Sequence, residues 1–183
     1  MHISLIGLPG CGKSTIGRHL ARLWKLDFVD TDHVIEQRLG CSISTFFAAQ
    51  GEEAFRDMES LVLLELLRQA KPSVLSTGGG AVLRVQNRQA LKTLSHVFYL
   101  QSMPEDIARR LRDDSTRPLM QGADPLQRLR ELLKARSPLY LSTAHYVIDA
   151  ARQSTTQVGR KLCMQAELAG LIPNLDCDSV TEN

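Results

Sequence analysis

The chain contains no apolar stretch approaching the roughly 20 residues that a membrane-spanning helix needs, so no membrane partner is expected. It also lacks a polybasic block. Lys and Arg total 22 against 20 Asp and Glu, the net charge is +2, and the arginines are scattered, which removes the electrostatic case for nucleic acid. No C-x-x-C pair occurs. The four cysteines, Cys11, Cys41, Cys163 and Cys177, have neither zinc-site spacing nor partner histidines and read as reduced thiols of a cytoplasmic protein. The first apolar run starts at the N-terminus, leaving no room for a signal peptide. Internal repeats, low-complexity segments and an apolar stripe wide enough for a large interface are missing too, and a monomer is expected.

What remains is ordinary globular composition, 43% hydrophobic and 23% charged, in 183 residues. That length suits one α/β domain over residues 1–172, with a polar, aperiodic tail at 173–183. Apolar runs suited to buried strands recur at 2–6, 27–30, 73–76, 96–100 and 145–149, separated by helical patterns. This alternation predicts a doubly wound parallel sheet, whose ligands bind beyond the carboxyl ends of the strands. The insertion at 32–60 reads as two or three short helices, with stops at Leu39-Gly40 and Gln50-Gly51. Residues 59–69 read as an apolar core helix, and a polar stretch near 113–124 has the makeup of a flap.

Gly7-Leu8-Pro9-Gly10-Cys11-Gly12-Lys13-Ser14 is a complete G-x-x-x-x-G-K-S phosphate loop between an apolar strand and a helical pattern. Glycines at 7, 10 and 12 let the backbone amides of the loop, continuing into Thr15, turn toward one anion, and the helix adds its positive N-terminal end. Lys13 should reach the β- and γ-phosphates, and the Ser14 hydroxyl should meet Mg²⁺. Cys11, at a helix N-terminus, is a thiol whose pKa can fall, but it reads first as a small side chain in the loop.

Asp30 and Asp32 close the second strand at i and i+2, spacing that places both on one strand face; a helix N-cap at Asp32 is the competing reading. Arg56 and Glu59 are three apart on a helix, so the glutamate can fix an arginine fork for a planar anion, or the two form a solvated salt bridge. Gly78-Gly79-Gly80 follows the third strand and allows close backbone approach to a ligand, unless it is only a flexible turn. Arg117, in the flap, can close over a transferring phosphate, and Arg109 or Arg110 can stack on a base; a plain exposed helix charge is the alternative. Arg136 reads either as an anion-binding arginine or as a cation favoured near a helix C-terminus.

Together, Gly-Leu-Pro-Gly-Cys-Gly-Lys-Ser-Thr, Phe-Val-Asp-Thr-Asp, Gly-Glu-Glu-Ala-Phe-Arg-Asp-Met-Glu, Ser-Thr-Gly-Gly-Gly-Ala-Val, Thr-Arg-Pro-Leu-Met and Arg-Ser-Pro-Leu-Tyr resemble shikimate kinase over about residues 3–165. The resemblance implies a three-layer α/β/α P-loop fold with five parallel strands ordered 2-3-1-4-5, a substrate-binding subdomain at about 32–60 and a lid at about 112–124. It implies phosphorylation of the 3-hydroxyl of shikimate by ATP with Mg²⁺, a step toward chorismate and the aromatic amino acids. By position it gives Lys13, Asp32 and Arg117 catalytic roles, and phosphate contacts to the loop amides and Arg117. Ser14, with Asp30 through water, falls to the metal, while Asp32 meets the ring hydroxyls and helps take the proton. Arg56, Arg136 and the Gly78–Gly80 backbone fall to shikimate, with Glu59 orienting Arg56. Arg110 and the loop around Arg152 flank the adenine, although Ala150-Ala151-Arg152-Gln153-Ser154 lacks the proline often found there.

Two alternatives accompany this reading. One is gluconate kinase, another small P-loop kinase for a hydroxylated carboxylate. The other is a catalytically retired relative that only binds ATP or a partner, against which Lys13, Asp32 and Arg117 are all present.

Overall fold

The computed structural model describes residues 2–112 and 124–172. Five strands form one parallel sheet: β1 (His2–Ile6), β2 (Asp27–Asp30), β3 (Ser73–Ser76), β4 (Ser95–Gln101) and β5 (Tyr146–Asp149). Their order is β2-β3-β1-β4-β5, as the resemblance implies. β1 is central, in register with β3 (Leu5 beside Ser76) and with β4 (Leu5 beside Phe98). Every residue of β1 and β3 is buried, the signature of parallel strands covered by helices on both faces.

Among the described residues seven helices flank the sheet: α1 (Lys13–Trp24), α2 (Thr31–Leu39), α3 (Ile43–Leu67), α4 (Val85–Leu94), α5 (Pro104–Arg112), α6 (Pro125–Thr143) and α7 (Thr155–Leu168). Local signals explain their limits. Gly40 closes α2 with φ 68°, Ser42 caps α3 through the Thr45 amide, and Ser154 with Gln157 forms a capping box on α7. Gly51, at φ 81° and ψ 176°, breaks α3 where a stop was expected. The apolar run at 59–69 is the second half of that same helix, not a separate one.

Two local expectations are corrected. Asp30, not Asp32, is the N-cap of α2, accepting the Asp32 amide at 3.1 Å; Asp32 lies in the first helical turn, so the pair does not share a strand face. Arg136 is not near a helix end. α6 continues through Pro138 to Thr143, because Tyr140 and Thr143 are fully buried and their packing outweighs the missing proline N–H.

Candidate active site

The carboxyl end of central β1 runs into the phosphate loop. Gly7 has φ 148°, and a Cβ there would come within 2.8 Å of the Leu100 carbonyl oxygen on β4. Gly12 occupies the N-cap of α1 in the left-handed region, with no side chain capping the helix, so the first amides remain available to an anion. Lys13 is buried and its ammonium donates to the carbonyls of Gly7 (3.0 Å) and Leu8 (2.9 Å), which satisfies the buried charge. Gly10, Gly12, Lys13, Ser14 and Thr15 line a cavity of about 190 Å³. Gly7 and Cys11 do not face it: Gly7 shapes the turn, and Cys11 is a buried small side chain.

The Ser14 hydroxyl donates to Asp30 Oδ2 at 2.6 Å and lies 3.2 Å from the Ser76 hydroxyl. This is a hard oxygen set of hydroxyls and one carboxylate facing the phosphate cavity. It fits a small divalent ion that keeps most of its waters and is shared with substrate phosphates. Among the described residues no group of three His, Cys, Asp or Glu forms a cage of its own.

A second cavity, about 310 Å³, opens beside the first. Its charged lining is Arg56, Glu59, Asp32, Arg128 and Arg136, with Phe47 and Phe55 as apolar walls. Arg56 donates from Nη1 to Glu59 Oε2 (2.7 Å) and from Nη2 to Glu52 Oε1 (3.0 Å), and its guanidinium lies 5.1 Å from the Phe55 ring centroid. Arg56 is 9% exposed and Glu59 2%, so the pair is a buried, oriented fork and not a solvated surface bridge. Arg84 anchors this half of α3 from outside by pairing with Glu53 and Asp57.

The two cavities share Pro9, Asp32 and Gly79. Asp32 therefore stands where a phosphate chain and an acceptor would meet. Burial pushes its carboxyl up to about 6, with the like charge of Asp30 adding to the effect and Lys13 opposing it. A carboxylate so placed takes a proton more readily than an ordinary aspartate.

The glycine triplet is explained by lack of room. A Cβ at Gly78 would sit 2.7 Å from Asp32 Oδ1 and 2.9 Å from Glu59 Oε1; at Gly79 it would strike the Pro9 ring at 2.7 Å; at Gly80 it would collide with the Arg56 guanidinium. The amide of Gly78 already donates to the Thr31 hydroxyl (3.1 Å), which narrows the expected set of free backbone donors. Tyr140, which sequence reasoning did not single out, donates its hydroxyl to the Gly79 carbonyl at 2.6 Å and stacks on Tyr99 at 5.0 Å. Its spacing of four from Arg136 was the available signal. Arg128 and Glu52 were missed as well.

Arg110 and Arg152 line neither cavity. Arg110 Nη2 donates to the Gln153 carbonyl (3.0 Å), and the Arg152 amide donates to Asp106 Oδ2 (2.9 Å), so both belong to one junction between α5 and the loop after β5. Arg117 lies outside the described residues, as do most of the expected lid and the 173–183 tail.

The family model for shikimate kinase matches residues 9–167. A shikimate kinase of Paracidovorax citrulli (strain AAC00-1) is 53% identical over 94% of this chain and 96% of its own length. The solved shikimate kinase from Acinetobacter baumannii in complex with shikimate has TM-score 0.84 and 41% identity, covering 92% of this chain and 93% of the other. A gluconokinase from Sinorhizobium meliloti 1021, at TM-score 0.60 and 17% identity over 93% of this chain and 95% of its own, shares the fold alone.

Proposed function

This chain belongs to the shikimate kinase family, and we propose a division of labour within it that follows from the two joined cavities. It is an ATP-using kinase that phosphorylates shikimate in aromatic amino acid biosynthesis. Such kinases generally need a divalent metal. The cavity of the phosphate loop takes the nucleotide's phosphates, with the amides from Gly10 to Thr15 and the Lys13 ammonium as donors. The second cavity takes shikimate, whose carboxylate meets Arg136 and the fork of Arg56 held by Glu59 and Glu52. The carbonyl and amide groups of Gly78, Gly79 and Gly80 border the ring.

Asp32 is, among the described residues, the one ionisable side chain that borders both cavities, and that observation carries the mechanism. Its carboxylate accepts a hydrogen bond from the 3-hydroxyl and draws off the proton as the oxygen attacks the γ-phosphorus. Phosphoryl transfer has a loose transition state and asks little of a base, so orientation and charge neutralisation supply most of the rate. Lys13 contributes one positive charge, and Arg117 contributes another from the lid at about 112–124. The fit of the oxygen donors favours Mg²⁺, held by the Ser14 hydroxyl and by Asp30 through water; bound there, it would neutralise charge on the β- and γ-phosphates. Arg110 and the Arg152 loop receive the adenine, supported by their joining through Gln153.

We further read residues 1–172 as one domain with a substrate-binding part at 32–60, working as a cytoplasmic monomer without nucleic-acid or membrane partners. Among the described residues no helix is long and apolar enough to cross a membrane. The test is ADP release with Mg·ATP and shikimate, gluconate or no acceptor. ADP formed only with shikimate supports the reading. ATP binding without acceptor-dependent turnover would return the chain to the retired-relative alternative, and removal of divalent metal by chelation should abolish turnover reversibly.

A further inference from the structure

The charge balance of the acceptor cavity depends on a residue that the assigned chemistry leaves idle. Three guanidinium groups, Arg56, Arg128 and Arg136, face two carboxylates, Asp32 and Glu59, in its lining. With Arg128 the lining carries one net positive charge; without it the lining is neutral and loses its long-range pull on a monoanion. The other cations are engaged: Arg56 turns its fork to Glu52 and Glu59, and Arg136 lies beside Glu59 and the Tyr140 hydroxyl. Arg128, by contrast, is exposed and its guanidinium has no partner among the described residues.

Its orientation follows from helix geometry. Arg128, Leu132 and Arg136 are spaced by four along α6, so they share one face, and all three line the cavity. Arg130, two residues on, points elsewhere and pairs with Glu105 at 2.8 Å. α6 therefore sends one of these two arginines to the cavity and the other to α5.

We propose that Arg128 is a capture residue for the anionic acceptor: it gives the mouth of the cavity its net positive charge and speeds entry of the carboxylate, without taking part in phosphoryl transfer. The proposal rests on reading this cavity as the shikimate site. An exposed charge acts through solvent, so its effect is on association and is screened by salt.

The experiment compares the full chain with Arg128→Gln and Arg128→Lys in steady-state assays with saturating Mg·ATP, at low and high ionic strength, alongside calorimetric titration with shikimate. Arg128→Gln is expected to raise KM and Kd for shikimate about three- to tenfold at low salt, with kcat unchanged. That difference closes as salt increases, and Arg128→Lys stays near the unaltered chain. Unchanged KM at low salt, a loss independent of salt, or a fall in kcat would each overturn the proposal. Because Arg128 is exposed and its guanidinium has no partner among the described residues, unchanged thermal melting of the Gln variant checks that the fold is intact. If the unaltered chain showed no shikimate-dependent turnover or binding, the acceptor reading itself would fall, and this inference with it.

Discussion

Gly80 lies directly beneath Arg56: a Cβ added to the glycine would come within 2.6 Å of Arg56 Cζ. The guanidinium is therefore held between the backbone of the glycine loop and two glutamates. Gly80→Ala should push the fork out of place and weaken shikimate binding about tenfold or more while ATP affinity holds, as titration of each ligand would measure. Gly78→Ala should act differently, because its Cβ would press on Asp32 and Glu59. Its main loss should be in kcat.

Asp32→Asn should reduce kcat by a factor of about 10² or more with ATP binding intact. In the unaltered chain, kcat/KM for shikimate should decline as pH drops through about 6, because the proton acceptor must be ionised. Stability runs the opposite way. A carboxyl raised in the folded state from 3.8 to about 6 contributes stability that is fully present below 3.8 and lost as pH rises through about 6. The ionised Asp32 thus costs about 3 kcal/mol at neutral pH, and the Asn variant should resist denaturant better at pH 7.5 than at pH 4, relative to the unaltered chain. Equal stabilities at both pH values would contradict this.

Glu59→Gln removes the buried partner of Arg56 but keeps its shape. A buried guanidinium left with Glu52 alone should cost about 3 kcal/mol of stability, and shikimate KM should rise. Denaturant melts and steady-state kinetics on the same preparation check both.

Tyr140→Phe keeps the stacking on Tyr99 and deletes the hydrogen bond to Gly79. The expected stability loss is about 1 kcal/mol, which lowers Tm by about 2–4 °C for a chain of this size. Because Gly79 borders both cavities, a rise in shikimate KM should accompany it.

The sheet and the phosphate loop were legible because their signals are local. Buried parallel strands read as short apolar runs, and Gly7 to Ser14 follows one of them directly. The Arg56–Glu59 pairing was legible too, since helix spacing alone makes the two neighbours. Its burial was not, because that depends on the glycine loop closing over it. Arg136 was expected near a helix end, whereas buried Tyr140 and Thr143 continue the helix past Pro138 through tertiary packing. Arg128 gave no local signal: its role depends on the face of α6 that turns toward α3. Asp30 and Asp32 were expected on one strand face, but the strand ends at Asp30, two residues short of what that reading needs, and the first carboxylate caps the helix carrying the second.

The sheet order has a consequence for inheritance. The phosphate loop leaves central β1, while Asp32, Arg56 and Glu59 hang on the crossover from edge strand β2 to β3, and Arg136 on the helix leading to edge strand β5. On the proposed division of labour, phosphate handling is thus built at the middle of the sheet, and discrimination among acceptors is assembled from its margins. Exchanging the marginal crossovers between relatives would transplant acceptor preference onto an unchanged nucleotide engine.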